Sequence, residues 1–203
     1  MTKIKICGLR SLDDIAIANK YQPDYIGFIF AKSKRKVDKK TALNLKTELD
    51  HSIQAVGVFV NEPIENIIQL CQEHIIDIIQ LHGDEDEEYI DQIRSNISNP
   101  IIKAVKVSKE IGFLPSYSYT TDFLLYDTVV KDQFGGSGIS FNHSILTNQI
   151  NPFFLAGGLD KENVVNAIKM CNPYCVDVSS GVETDGIKDE IKIRDFIKVV
   201  RRT

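Results

Sequence analysis

Eight short β-branched runs, each followed by a longer amphipathic stretch, constrain this chain more than any other feature of its sequence. The runs are Lys3 to Cys7, Tyr25 to Phe30, Gln54 to Val60, Asp77 to Leu81, Ile101 to Val107, Phe123 to Asp127, Phe153 to Ala156 and Cys175 to Ser179. They read as strands covered on both faces, being nearly continuous in Ile, Val, Phe and Leu. Helical patterns alternate with them at Leu12 to Asn19, Lys39 to Leu49, Ile64 to His74, Asp86 to Ser95, near Lys109, Phe141 to Asn148, Lys161 to Cys171 and Asp189 to Arg201. Strict alternation demands a parallel sheet, because each helix must carry the chain back across a face before the next strand starts. Eight units allow that sheet to close, so the expected fold is α/β, a (β/α)8 TIM barrel of eight parallel strands forming one compact domain over 1–203. An open doubly wound sheet is the rival, and the lack of a GxGxxG after the first strand weakens its dinucleotide-binding form.

Local signals support the element boundaries. Ser11 precedes Leu12-Asp13-Asp14, which places an N-cap hydroxyl and two carboxylates at the positive end of the first helix. Pro63 stands where its missing N–H costs nothing, at a helix start. The acidic run Asp84 to Glu88 is expected to complement the dipole of the helix that follows.

Composition narrows the function. Of 203 residues, 43% are hydrophobic and 26% charged, enough for a substantial core, and a net charge of -4 offers no electrostatic pull on a nucleic acid. No stretch approaches the roughly 18 apolar residues of a membrane span, and the N-terminus lacks a signal peptide's apolar run, so the expected compartment is the cytoplasm. Cysteines at 7, 71, 171 and 175 form no CxxC pair, and His51, His74, His82 and His143 are scattered. A reaction without metal or cofactor is therefore expected. No long apolar stripe is left over once the barrel helices are assigned, so a monomer is expected, with a homodimer as the alternative.

In a barrel of this kind the active site lies at the C-terminal ends of the strands. Cys7 ends the first run, Arg35 follows the second, Gln80 and His82 flank the end of the fourth, Asp127 ends the sixth and Asp177 lies in the eighth. Lys3, Lys5 and Cys7 alternate with Ile4 and Ile6, so the thiol shares its strand face with the two lysines. Glycine-rich turns follow the last three strands: Gly135-Gly136-Ser137-Gly138, Ala156-Gly157-Gly158-Leu159 and Ser179-Ser180-Gly181-Val182. Glycine lets backbone N–H groups approach an oxyanion, and the loops after strands seven and eight are this fold's usual phosphate cradle. Gly136, Gly157, Gly158, Ser180 and Gly181 are thus the expected phosphate-binding positions. A thiol and a carboxylate facing one pocket suit a reaction that takes a proton off carbon and puts one on oxygen, which is an isomerisation. The bland readings stay open at this point: a buried cysteine is commonly an apolar filler, and an aspartate at a strand end commonly caps a loop.

With these residues in order, the chain closely resembles the phosphoribosylanthranilate isomerase family over nearly its whole length. The resemblance is carried by Lys5-Ile6-Cys7-Gly8-Leu9, Ser33-Lys34-Arg35-Lys36-Val37, Gln80-Leu81-His82-Gly83, Leu125-Tyr126-Asp127-Thr128, Ala156-Gly157-Gly158-Leu159 and Asp177-Val178-Ser179-Ser180-Gly181-Val182-Glu183, followed by Gly186 and Lys188-Asp189. It implies an Amadori rearrangement of a small phosphorylated substrate, N-(5-phosphoribosyl)anthranilate. In that reaction Asp127 is the general acid, Cys7 the general base and Arg35 the partner of the anthranilate carboxylate; Gln80, His82 and Asp177, at the strand ends, are expected to bind substrate as well. The family commonly carries an acid and then a tryptophan after the position of Phe141, where this chain has Asn142-His143. Two alternative readings stand beside it. A sister phosphate-binding barrel such as indole-glycerol-phosphate synthase would want a lysine acid, and a pentose-phosphate epimerase would want metal-ligating His and Asp residues. A barrel that binds a sugar phosphate without turning it over is the alternative from another class.

Overall fold

The eight runs hydrogen-bond in sequence order and the last returns to the first. In the computed structural model, which describes residues 1–107, 120–128, 146–147, 149 and 151–203, the chain starts with β1 (Lys3–Cys7), α1 (Leu12–Tyr21), β2 (Tyr25–Ile29) and α2 (Lys39–Thr47). β3 (Gln54–Phe59), α3 (Ile64–Gln72), β4 (Ile78–Leu81), α4 (Glu87–Arg94), β5 (Ile101–Val107) and β6 (Phe123–Thr128) follow. The chain ends with β7 (Phe153–Leu155), α5 (Val164–Cys171), β8 (Cys175–Val178), a hairpin of β9 (Glu183–Thr184) and β10 (Ile187–Lys188), and α6 (Glu190–Val200). β1 to β8 form a closed parallel barrel, sealed where Lys5 of β1 lies opposite Asp177 of β8. Each strand agrees with its sequence run to within one residue at either end. The helices expected near Lys109 and over most of Phe141 to Asn148 lie outside the described residues, as do Gly136 and Asn142-His143.

Strand side chains alternate between two cores, as period-two geometry requires. Tyr25, Val56, Ile78, Leu125, Phe154 and Cys175 pack inside the barrel. Their neighbours Ile4, Ile26, Phe59 and Ile79 face outward and pack with the inner faces of the helices, through residues such as Ile15 and Phe196. Burying a side chain of this size contributes about 1.5–3 kcal/mol, so the two layers supply the main drive to fold.

Side-chain caps start four of the helices. Ser11 accepts from the Asp14 N–H at 3.2 Å while Asp14 accepts from the Ser11 N–H, a reciprocal capping box. Asp38, Asp86 and Asp189 cap α2, α4 and α6. α5 starts later than Lys161 because Asp160 Oδ1 accepts from the N–H groups of Glu162 and Asn163, tying those residues into a turn. The acidic run splits. Asp86, Glu87 and Glu88 serve the start of α4 as expected, but Glu85 turns inward, where it accepts from Lys103 Nζ at 2.8 Å and from the Asn61 and Gly83 N–H groups. Among the described residues no helix is long and apolar enough to cross a membrane.

Candidate active site

The C-terminal mouth of the barrel is a cleft whose walls come from strand ends and the loops that follow them. Cys7, Arg35, Gln80, His82, Asp127, Gly157, Gly158, Asp177 and Ser180 all line it. Of the remaining expected phosphate positions, Gly136 lies outside the described residues. Gly181 packs behind the cleft wall, so close to the Leu159 carbonyl that a Cβ there would lie 2.0 Å from its oxygen. No group of three or more His, Cys, Asp or Glu side chains suited to hold a metal ion occurs among the described residues.

At the cleft floor lies a buried ion pair. Lys5, wholly inaccessible to solvent, donates from Nζ to Asp177 Oδ2 at 2.7 Å, a contact set by the β1–β8 register. Burial is the largest influence and works to discharge Lys5, yet Asp177 and Cys7 together outweigh it and hold the lysine above its ordinary pKa. Removing either partner would strand a buried charge at a cost of about 3–5 kcal/mol. Cys7 lies above this pair and next to Gly27 in the register. Burial pushes its thiol up from the ordinary value, Lys5 pulls it down and Asp177 pushes it up again, for a net upward shift. The expectation that Cys7 and Lys5 share a face is met. The lysine moderates the burial of the thiol without overcoming it.

Across the mouth, Asp127 is buried at the end of β6 and faces His82, whose Nε2 lies 3.2 Å from Asp127 Oδ2. The Gln80 side-chain N–H donates to His82 Nδ1 at 2.9 Å. With Nδ1 accepting, the ring proton belongs on Nε2 and is directed at the carboxylate. Gln80 Oε1 and Asp177 Oδ1 are buried without a hydrogen-bond partner among the described residues. Buried acceptors of this kind are costly unless something donates to them, and both side chains line the cleft.

Arg35 is held from outside the cleft. Its Nε and Nη2 donate to the two carboxylate oxygens of Glu183, each at 2.6 Å, and Lys188 Nζ donates to the same carboxylate at 2.7 Å. Neither Glu183 nor Lys188 is recognisable as part of a site from residue type or strand position. The signal that could have found them is their place in the run from Asp177 to Lys188, which carries part of the family resemblance.

The family model described as N-(5'phosphoribosyl)anthranilate (PRA) isomerase matches residues 4–199. The chain belongs to the N-(5'-phosphoribosyl)anthranilate isomerase family. It is an aldose–ketose isomerase of tryptophan biosynthesis. The N-(5'-phosphoribosyl)anthranilate isomerase of Endomicrobium trichonymphae is 50% identical over 203 residues, covering 99% of either chain. The crystal structure of phosphoribosyl anthranilate isomerase from Thermotoga maritima superposes with a TM-score of 0.84 at 33% identity, covering 100% of both chains. A phosphoribosyl anthranilate isomerase solved in complex with reduced 1-(o-carboxyphenylamino)-1-deoxyribulose 5-phosphate aligns with a TM-score of 0.81, also at 33% identity and 100% coverage of both chains.

Proposed function

We propose that the cleft performs the family's Amadori rearrangement with Asp127 as general acid and Cys7 as general base, in one domain that requires neither metal nor cofactor. Asp127 gives its proton to the furanose ring oxygen, the C1–O bond breaks, and the anthranilate nitrogen lone pair closes a Schiff base at C1. The Cys7 thiolate then takes the proton from C2, and the electron pair of that bond forms the C1–C2 double bond of an enolamine. Return of a proton to C1 and loss of the C2 hydroxyl proton give the ketone, 1-(2-carboxyphenylamino)-1-deoxyribulose 5-phosphate. A cationic Schiff base beside the thiol pulls in the same direction as Lys5, so the base becomes available once the ring has opened.

Arg35 takes the anthranilate carboxylate, for which a planar guanidinium is well shaped. Gln80 Oε1 and Asp177 Oδ1 accept from sugar hydroxyls, a reading supported by their being buried acceptors on the cleft wall. His82 Nε2–H donates to Oδ2 of the Asp127 carboxyl group, leaving Oδ1 to carry the proton that is given to the ring oxygen. The backbones of Gly157, Gly158 and Ser180, which line the cleft, hold the phosphate. We read the protein as a cytoplasmic monomer; sedimentation analysis decides between that and a homodimer.

The observation that carries this reading is that a buried thiol and a buried carboxylate, at the C-terminal ends of β1 and β6, line one cleft. Cys7→Ala and Asp127→Asn are each expected to lower turnover by about 10²–10⁴-fold with the fold retained, followed by the fluorescence of the anthranilate group. Near wild-type turnover in either variant, with circular dichroism confirming the fold, removes that residue's assigned role.

A further inference from the structure

Arg35 presents its guanidinium to the cleft from a loop, and a loop arginine with a free side chain would lose much rotamer entropy on binding a carboxylate. Two contacts restrict it here. Gly8, at φ +86°, lies under the arginine stem, and a Cβ at that position would meet Arg35 Cδ at 2.6 Å. Glu183 grips the Nε–Nη2 edge with both oxygens, and its own carboxylate is fixed by Lys188, the residue opposite it in the β9–β10 hairpin. Lys188 also donates to the Ser179 carbonyl at 3.0 Å, and Lys192 of α6 donates to the Glu183 carbonyl at 2.6 Å, so the hairpin is tied to both β8 and α6. Burial favours the neutral form of Glu183, but Arg35 and Lys188 hold the carboxyl below its ordinary range, so it is a permanent anion near neutrality.

A guanidinium carries five N–H groups, and a side-on pair through Nε and Nη2 leaves the Nη1–Nη2 edge for a second carboxylate. Arg35 lines the cleft, whereas Glu183 and Lys188 stand behind it. Two cations and one anion leave the cluster a single positive charge, matching one incoming carboxylate. We infer that Glu183, braced by Lys188, is a positioning residue that orients Arg35 so that its free edge reads the aromatic carboxylate of the substrate. The inference rests on the assignment of Arg35 to that carboxylate.

Equilibrium titration with two ligands tests it: reduced 1-(o-carboxyphenylamino)-1-deoxyribulose 5-phosphate, and the same compound made from aniline, which lacks the carboxyl group. The wild-type preference for the first is expected to fall about tenfold in Glu183→Ala and by less in Glu183→Gln, which keeps one acceptor, while affinity for the aniline compound stays unchanged. Arg35→Ala, titrated alongside, should abolish the preference. If Arg35→Ala leaves the preference intact, the assignment of Arg35 fails and the inference falls with it. If Arg35→Ala abolishes it but both Glu183 variants keep it, only the positioning role is overturned. Equal weakening of both ligands would mark Glu183 as a structural support alone, and tighter binding of the carboxylate ligand would mark it as a competitor; either result overturns the inference. Should Glu183→Ala fail to fold, Glu183→Gln decides on the same two ligands.

Discussion

Cys7 owes its place to a neighbour that has no side chain. Gly27 lies opposite it across the β1–β2 ladder, and a Cβ built on Gly27 would approach Cys7 Sγ to 2.7 Å, nearer than such contacts allow. Glycine weakens a strand interior, so its presence in Tyr25-Ile26-Gly27-Phe28 signals a close approach by something else. That something is the thiol. Gly27→Ala is therefore expected to displace the sulfur and lower kcat by about 10²-fold, while overpacking costs about 1–3 kcal/mol and leaves a cooperative melt. Steady-state kinetics beside a thermal melt checks this, and an unchanged kcat would show that the thiol has room to spare. Cys7 and Asp127 were legible in the sequence because each ends an apolar run that must be a strand. Gly27, Glu183 and Lys188 were not, because their contributions exist only through the side chains they touch, Arg35 and Glu183 being 148 positions apart.

Elements were legible where the governing interactions are local. Ser11 caps the helix it precedes, as the sequence suggested, because a cap needs only its next three residues; Asp38, Asp86 and Asp189 cap theirs in the same way although they were not read as caps. The acidic run after Gly83 was only partly legible, since Glu85 is drawn inward by Lys103, which is buried on a different strand. The loops after β7 and β8 depend on each other in a comparable way. Gly181 abuts the Leu159 carbonyl, and a backbone atom cannot swing aside as a side chain can. Gly181→Ala must part the two loops, so a loss of about 1–3 kcal/mol is expected together with weaker binding of inorganic phosphate. Thermal melts with and without phosphate read both effects, and a variant that melts and binds as the wild type does would show that the loops are independent.

At the scale of the whole molecule, the barrel buries all four cysteines as free thiols. Burial pushes Cys71 up to about 12 and Cys171 up to about 11, and raises Cys7 and Cys175 as well. A thiol that ionises less readily when folded contributes stability that is complete below its unfolded value near 9.0 and is lost as pH rises through the folded value. Stability should accordingly decline between about pH 9 and about pH 12, and Cys71→Ala should show a shallower decline even though its small cavity lowers stability at neutral pH. Thermal melts across that range measure it; parallel declines for the two proteins would exclude Cys71 as a contributor. The alternation of apolar runs and amphipathic stretches by itself determined a parallel sheet with helices outside, because periodicity is a property of neighbouring residues. It also determined which residues end the strands, and hence that a thiol, two carboxylates and glycine turns share one end of the barrel. Only the tertiary structure decided which charges meet there. Lys5 pairs with Asp177 because closure brings the first strand against the last, and Arg35 pairs with Glu183 because the hairpin after β8 folds back beside the loop after β2. Such pairings depend on register and distance between segments far apart in the chain, which no local pattern encodes.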